Sequence, residues 1–268
     1  MTPNLTALLK ETDGAKSRIA DCLPLPRYTA SSVREKFNLD WICHSNALAG
    51  NSLTVIETKV VLEGITIGGK TIAEHLEVVH HCKAICYVEN RLAQNLALDL
   101  QAILDLHNIL QTGHTNDTAS DGSSTNATAS TNPVEKIHDL LAQRCALSAS
   151  HPLIQAAQWH GLFLNQSPFP GDNGRLARLL LNYDLSRAGY PTAVILRDEK
   201  QQYDAALKQA AAPHSRQSAP STKLAQNTSQ ASPCDDLAIL IAQATLRTLR
   251  MILYLLGPCA PAPSSSEP

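Results

Sequence analysis

The fold is decided by the stretch Ser167-Pro-Phe-Pro-Gly-Asp-Asn-Gly-Arg175, which is followed by the apolar run Leu179-Leu-Leu181. This order of residues indicates a loop that opens directly into a helix. Such a junction can hold an anion, because free backbone N–H groups and the positive end of the helix dipole face the ligand. Arg175 and Arg178 lie three positions apart on one helical face and could clamp phosphate oxygens. The alternative is an ordinary helix cap with solvated arginines.

Helical spacing of apolar residues dominates the rest of the chain, and strand-like alternation is rare. We therefore predict an all-α fold. The exception is Glu63-Gly-Ile-Thr-Ile-Gly-Gly-Lys70, where β-branched residues between glycines favour a short β-hairpin flap. The predicted parts are N-terminal helices with the flap over 1–110, a disordered insertion over 111–133, a core with the motif over 134–210, a disordered loop over 211–234, a closing helix over 235–257 and a disordered tail over 258–268. The predicted disorder follows from polar, low-complexity composition that offers little to bury.

Composition excludes some classes of partner. The net charge of -2 comes without a clustered basic face, which argues against nucleic acid binding. Polar residues interrupt the most apolar run, Leu237–Leu256, so we predict an amphipathic packing helix and no membrane partner. The N-terminus has no secretory signal pattern, and the seven cysteines are therefore expected to be reduced thiols in a cytoplasmic or nuclear protein.

One cluster of histidine and cysteine could suggest zinc. His80, His81, Cys82 and Cys86 are close in sequence, but a closed zinc site needs four ligands that converge as a tetrahedron. Core thiols on a helix are the favoured interpretation.

The opening stretch resembles the motif of Fic proteins, H-P-F-x-[D/E]-G-N-G-R-x-x-R, a family that typically transfers AMP from ATP to a hydroxyl of a target protein. The residues that match in register are Pro168, Phe169, Asn173, Gly174, Arg175 and Arg178. Upstream, His44–Thr54 resembles the family's inhibitory-helix segment, and Leu62–Lys70 resembles its target-positioning flap. The resemblance implies a Fic-type helical domain with a flap.

The resemblance also implies roles for individual residues. The nucleotide-binding candidates are Asp172, Asn173, Gly174, Arg175, Arg178 and Tyr203, with Asp172 also the candidate metal ligand. Tyr203 lies roughly where the family has a tyrosine beside the base, and a helix-surface aromatic is the alternative. The inhibitory-segment positions are Ser45, Ala49 and Gly50. The flap that would receive a target protein is Thr66, Ile67, Gly68, Gly69 and Lys70.

Three departures from the family pattern affect the predicted activity. Ser167 stands at the position of the catalytic histidine, and a serine hydroxyl cannot accept a proton at neutral pH. The acid–glycine pair is reversed to Gly171-Asp172, so Asp172 either reaches the metal from the next position or repels ATP from the phosphate nest. Ala49 replaces the inhibitory glutamate and cannot restrain Arg178.

These departures leave two functional hypotheses. The first is an ATP-dependent protein AMP-transferase whose activity is lost or much reduced, with ATP and Mg²⁺ as cofactors if nucleotide binding survives. The second is a non-catalytic protein-binding module that uses the flap. The oligomeric state stays open at this point, and a homodimer is one of the open assemblies.

Overall fold

The computed structural model describes residues 2–24, 27–111, 132–147, 150–211 and 232–257. In this part of the chain every regular element is a helix, which confirms the all-α prediction. The predicted disordered tail lies outside the described residues, as do the predicted insertion and loop except at their ends, so their disorder stays a prediction.

Ten α-helices follow one another along the described residues. They are α1 (Pro3–Ala20), α2 (Arg27–Leu48), α3 (Val55–Leu62), α4 (Ile72–Ala93), α5 (Leu100–Gln111), α6 (Pro133–Ala146), α7 (Pro152–Gln166), α8 (Asn173–Arg187), α9 (Lys200–Ala210) and α10 (Asp235–Leu256). Both α3 and α4 begin with a capping box, in which Thr54 pairs with Glu57 and Thr71 pairs with Glu74. Such reciprocal hydrogen bonds satisfy backbone N–H groups of the first helical turn.

Helix α8 is the centre of the fold. Every residue from Arg175 to Tyr183 is buried, and α2, α4, α5 and α7 all contact the helix. The run Leu179–Leu181 contributes to this placement, because three consecutive leucines point to different sides of a helix and are buried only when several elements surround it. The N-terminus of α8 is therefore held in a defined position by the core.

Helix α10 closes the fold by packing along α1 and α7. By length and composition it is the one helix among the described residues that could cross a membrane, and half of its most apolar window is buried in the fold. Its polar face forms ion pairs, since Arg247 lies 2.7 Å from Glu199 and Arg250 pairs with Glu11. The prediction of an amphipathic packing helix is confirmed, and the absence of a membrane partner stays a prediction.

The cysteines do not all match the expected reduced state. Cys22 is disulfide-bonded, so the expectation of reduced thiols throughout is wrong for this residue. A disulfide depends on the spatial approach of two cysteines, which composition does not reveal. The free cysteines among the described residues are Cys43, Cys82, Cys86, Cys145 and Cys234. The cytoplasmic or nuclear location, which rested on reduced thiols, stays a prediction.

The segment predicted to form a β-hairpin forms a loop with a tight turn. Its backbone groups find partners near the adjacent helices instead of in a second strand. The N–H of Ile65 donates to the carbonyl of Val60 over 3.2 Å, and the N–H of Ile67 donates to Nε2 of His75 over 2.8 Å. Gly69 takes a φ of 80°, which glycine adopts without strain. The β-branched residues therefore lie in a loop, because the nearby helices satisfy their hydrogen bonds.

Candidate active site at the N-terminus of helix α8

The loop between α7 and α8 is shaped by the side chain of Asn173. Its Oδ1 accepts a hydrogen bond from the N–H of Phe169 over 3.1 Å, and its Nδ2 donates to the carbonyl of Phe169 over 2.6 Å. Ser167 and Asp172 take left-handed backbone angles, with φ values of 39° and 61°. Asn173 thus fastens the middle of the loop to the first turn of α8.

A histidine that the sequence reasoning missed supports this loop from α5. The ring of His107 stacks on Phe169 with a centroid distance of 3.7 Å, and the two planes differ by 9°. His107 also interacts with the backbone of Gly171, and burial lowers the pKa of the imidazole. The helical spacing of apolar residues in the sequence could have indicated that His107 is buried, because Ile103 and Leu110 share the buried face of α5 with it.

A cavity of about 590 Å³ lies at the N-terminus of α8. This volume falls within the usual range for small-molecule sites. The described residues that line it are Leu48, Ala49, Glu77, Gln111, Pro170, Gly171, Asp172, Gly174, Arg175 and Arg178. The cavity therefore brings together the motif and the end of α2, which the sequence separates by more than a hundred residues. Glu77 and Gln111 were not predicted, since neither lies in the recognised segments.

Arg175 is buried in the wall of this cavity, with 3% of its side chain exposed. Its Nε donates to Oδ1 of Asp172 over 2.9 Å, and Nη2 donates to the same oxygen. Its Nη1 donates to Oδ1 of Asn46 over 3.2 Å and lies 3.6 Å from Oε1 of Glu77. All three nitrogens of the guanidinium are thus engaged within the protein.

Arg178 is also buried, and it interacts with Ser45 of α2 and with Tyr203 of α9. Its Nε donates to Oγ of Ser45 over 2.8 Å, and its Nη2 donates to the carbonyl of Ser45 over 2.7 Å. Burial lowers the pKa of this guanidinium. A Cβ atom added to Gly174 would lie 3.3 Å from Nη1 of Arg178, so glycine permits the close approach of this side chain to the helix start.

Ser167 lies at the end of α7 with an exposed side chain. Its Oγ donates a hydrogen bond to the carbonyl of Leu164 over 2.6 Å, within the last turn of its own helix. Ser167 is not among the described residues that line the cavity. The hydroxyl therefore caps α7.

Comparison with known proteins identifies the family. The model of the Fic/DOC family matches residues 97–185, which include α5, α6, α7 and nearly all of α8. The chain belongs to the Fic/DOC family. The match covers the motif loop and both arginines, so the family prediction is confirmed.

Relatives of this Fic chain are similar in sequence and in fold. The relative from Drosophila grimshawi named "Protein adenylyltransferase Fic" is 34% identical over 180 residues, which cover 62% of this chain and 37% of the relative. The solved structure of Fic-1 (aa134–508) from C. elegans has a TM-score of 0.75 at 20% identity, covering 93% of this chain and 71% of that one. A Fic-domain signalling protein from Bacteroides thetaiotaomicron has a TM-score of 0.70 at 21% identity, covering 94% and 96%. The chain thus spans about a third of the length of the first relative, and the two structures show the fold.

Tyr203, the candidate to lie beside the nucleotide base in this Fic chain, interacts with Arg178 and is not among the described residues that line the cavity. It is 3% exposed, and its hydroxyl lies 2.6 Å from Nε2 of His160. Burial raises the pKa of Tyr203 and lowers that of His160 to about 3. The alternative of a helix-surface aromatic is wrong because the ring is buried. The role beside a nucleotide base stays a prediction.

The flap of this Fic chain is anchored to the start of α3 through Lys70. The Nζ of Lys70 donates to the carbonyl and to Oγ of Ser52, over 3.0 and 2.9 Å, and lies 3.8 Å from Glu57. Thr66 and Gly68 are exposed. Flap residues are not among the described residues that line the cavity.

The residues at the predicted metal position do not fit a protein-held magnesium ion. Asp172 is committed to Arg175, and Glu77 lies beside the same guanidinium. A magnesium ion held by the protein binds through one or two carboxylates whose oxygens are free to coordinate it. The described residues contain no group of three histidine, cysteine or acidic side chains that could hold a metal ion.

Proposed function

We propose that this chain is a Fic protein that binds ATP in the cavity at the N-terminus of α8 and transfers AMP to protein hydroxyls slowly or not at all. The observation that carries the proposal is the meeting of Gly174, Arg175 and Arg178 in one cavity of about 590 Å³. The names of the relatives support it, since several are called protein adenylyltransferases. Because the chain spans less than half of their length, the activity remains a proposal about this chain.

The cavity has three properties that suit nucleotide phosphates. The first turn of a helix supplies backbone N–H groups and a positive dipole end. Arg175 and Arg178 add two buried positive charges, which attract anions more strongly than solvated ones. Gly174 brings the backbone close to the ligand without a side chain. A magnesium ion would accompany the phosphates of ATP, because this ion commonly binds through substrate oxygens and water.

The missing base accounts for the low proposed rate. AMP transfer to a hydroxyl requires a group that accepts its proton, and Ser167 stands at the position of the family's histidine. Its Oγ donates to Leu164 and cannot accept a proton at neutral pH. His107 does not replace it, since its buried ring stacks on Phe169 and is not among the described lining residues.

The cavity also lacks the carboxylate that the family resemblance would place at position 49, just after α2. Ala49 lines the cavity with a methyl group, and Arg178 bonds instead to Ser45. No acidic side chain from position 49 fills the space near Arg178. The proposed low activity therefore stems from the missing base and not from an inhibitory glutamate at this position.

Restoring the base tests the proposal. We expect Ser167→His to increase the transfer of label from α-labelled ATP to protein by roughly 10²–10⁴-fold, the usual contribution of a general base. A second variant adds Gly171→Asp and Asp172→Gly, which restores the family's acid–glycine order. Ser167→Ala is the matched control and should leave the transfer at the level of the unmodified chain. If the triple variant is inert, the transferase proposal is wrong.

A second candidate function is a non-catalytic module that binds a partner chain at the flap. It is favoured by apolar side chains on either side of the flap, because Ile65 is 56% and Ile72 is 77% exposed. Calorimetry with ATP and magnesium separates the two functions. Heat of binding supports the nucleotide proposal, whereas no heat and no thermal shift would contradict every nucleotide-dependent form and leave the binding module.

A further inference from the structure

We infer that Asp172 is a tethered anion that occupies the place of a ligand phosphate on Arg175 and thereby limits how tightly the cavity binds polyphosphates. The inference rests on the proposed function, because it concerns the ligand of the same cavity. It concerns affinity for phosphates, which can be measured without any transfer of AMP.

Asp172 occupies the edge of the Arg175 guanidinium that would best hold a phosphate. A guanidinium holds a carboxylate or phosphate best through two parallel N–H groups, and the edge formed by Nε and Nη2 is one such pair. In this structure both nitrogens of that edge donate to Oδ1 of Asp172. The remaining nitrogen, Nη1, donates to Asn46 and lies near Glu77. A phosphate can therefore take this edge of Arg175 only by displacing the carboxylate of Asp172.

The backbone conformation of Asp172 also directs its carboxylate toward Arg175. Asp172 is the N-cap residue of α8, a position where an aspartate usually accepts a hydrogen bond from the first helical turn. Here the side chain makes no such cap bond, and the residue adopts a left-handed conformation with φ 61° and ψ 5°. The carboxylate instead turns toward Arg175. The side chain thus binds the cation of the cavity in preference to its own helix.

The charged groups in the cavity wall balance one another. The cavity wall contains two guanidinium groups, Arg175 and Arg178, and two carboxylates, Asp172 and Glu77. Their formal charges cancel, so a polyphosphate enters a neutral site that already holds an anion beside the helix N-terminus. Removing the charge of Asp172 would leave the cavity with one net positive charge and would weaken the competition for the Nε–Nη2 edge.

The substitutions that test the inference must keep the backbone in place. Asparagine and glycine both tolerate positive φ, so Asp172→Asn and Asp172→Gly can retain the left-handed turn. The probe is inorganic pyrophosphate, titrated by calorimetry into the full chain. We expect both variants to bind it roughly 10- to 100-fold more tightly than the unmodified chain, because glycine removes the hydrogen-bond acceptor and asparagine replaces the carboxylate with a neutral amide that holds the guanidinium less strongly.

Glu77→Gln is the matched control, because it also removes one negative charge from the cavity wall. Glu77 lies 3.6 Å from Nη1 of Arg175 and does not take the Nε–Nη2 edge. We expect it to strengthen pyrophosphate binding by less than the Asp172 variants. An effect as large as theirs would overturn the inference, because net charge and not displacement would then control the affinity.

Two other outcomes also overturn the inference. One is affinity for pyrophosphate that is equal within about twofold in the unmodified chain and in both Asp172 variants. The other is the absence of binding in all of them, with thermal unfolding showing that they are folded. The proposed function is judged separately, by label transfer from ATP after the base has been restored at Ser167. Equal pyrophosphate affinity in the unmodified chain and the Asp172 variants, together with restored transfer, would therefore refute the inference alone.

Discussion

Arg175 and Arg178 show at the scale of single residues how neighbours on one helix acquire different partners. Arg175 is held by Asp172 from its own loop, whereas Arg178 is held by Ser45 from α2. Both side chains are buried, so each contact replaces water that the guanidinium would otherwise bind. Gly174 lies beside Arg178, and the absence of a side chain leaves room for that guanidinium.

Gly174→Ala tests this close approach. The added Cβ would lie 3.3 Å from Nη1 of Arg178, so the guanidinium must move by a few tenths of an ångström. We expect weaker ATP binding, by roughly tenfold, if a bond of Arg178 worth about 1–2 kcal/mol is weakened. Calorimetry measures the change. The control is Gly171→Ala, whose Cβ would meet Nε2 of Gln111 at an ordinary 3.9 Å. Equal losses in both variants would contradict this account.

At the scale of elements, the junction between α7 and α8 depends on one side chain. Asn173 forms both of its amide hydrogen bonds with Phe169, and Phe169 stacks on His107 of α5. Three helices therefore meet at the loop. The loop contains two residues other than glycine, Ser167 and Asp172, with left-handed backbone angles. It keeps its shape because its backbone groups have fixed hydrogen-bond partners.

Asn173→Ala should destabilise this junction and with it the fold. It removes two partly buried hydrogen bonds, so we expect the free energy of unfolding to fall by about 1–3 kcal/mol. Urea denaturation measures this change. Ser167→Ala is the control, because it removes one exposed hydrogen bond from the same loop and should cost less than about 1 kcal/mol. A loss for Asn173→Ala no larger than for Ser167→Ala would show that the loop does not depend on Asn173.

At the scale of the whole molecule, α8 is enclosed by helices that bury neutral histidines near its arginines. His160 of α7 is fully buried between Ala177 and Tyr203, and His81 of α4 is fully buried close to both arginines. Burial lowers the pKa of His160 to about 3 and that of His81 well below its usual value, with the arginine charges adding to the effect. The folded state therefore holds both rings neutral.

This burial predicts a loss of stability in acid. The unfolded chain protonates these histidines below about pH 6.5, whereas the folded chain keeps His160 neutral down to about pH 3. The contribution of the neutral His160 to the free energy of unfolding is therefore fully present above pH 6.5 and is lost as the pH falls toward 3. The variant His160→Gln removes one titrating ring. Its free energy of unfolding should therefore fall less steeply between pH 6 and pH 4, with a slope that corresponds to the uptake of about one proton fewer on unfolding. Equal slopes for both proteins in urea denaturation would contradict the prediction.

Much of the fold could be predicted because helical periodicity is local. The spacing of leucines around Leu179–Leu181 and the turn residues before them indicate a buried helix that begins after a loop. The flap could not be predicted correctly, since Ile65 and Ile67 have strand-like side chains. Their backbone hydrogen bonds go to Val60 and His75, which are brought near by the packing of α3 and α4. β-Branched residues favour a strand only where a partner strand is available.

The sequence by itself determined the helical class, the family and the identity of the motif residues, because these depend on residue types at fixed spacing. Only the tertiary structure decided what those residues contact. Asp172 contacts Arg175, and both Ser45 and Tyr203 contact Arg178. Glu77 and Gln111 lie in the cavity wall. The physical reason is that partners distant in sequence are chosen by how helices pack around α8. The motif residues indicate where the site lies, and the packing of the helices determines which charged side chains of the site are already paired.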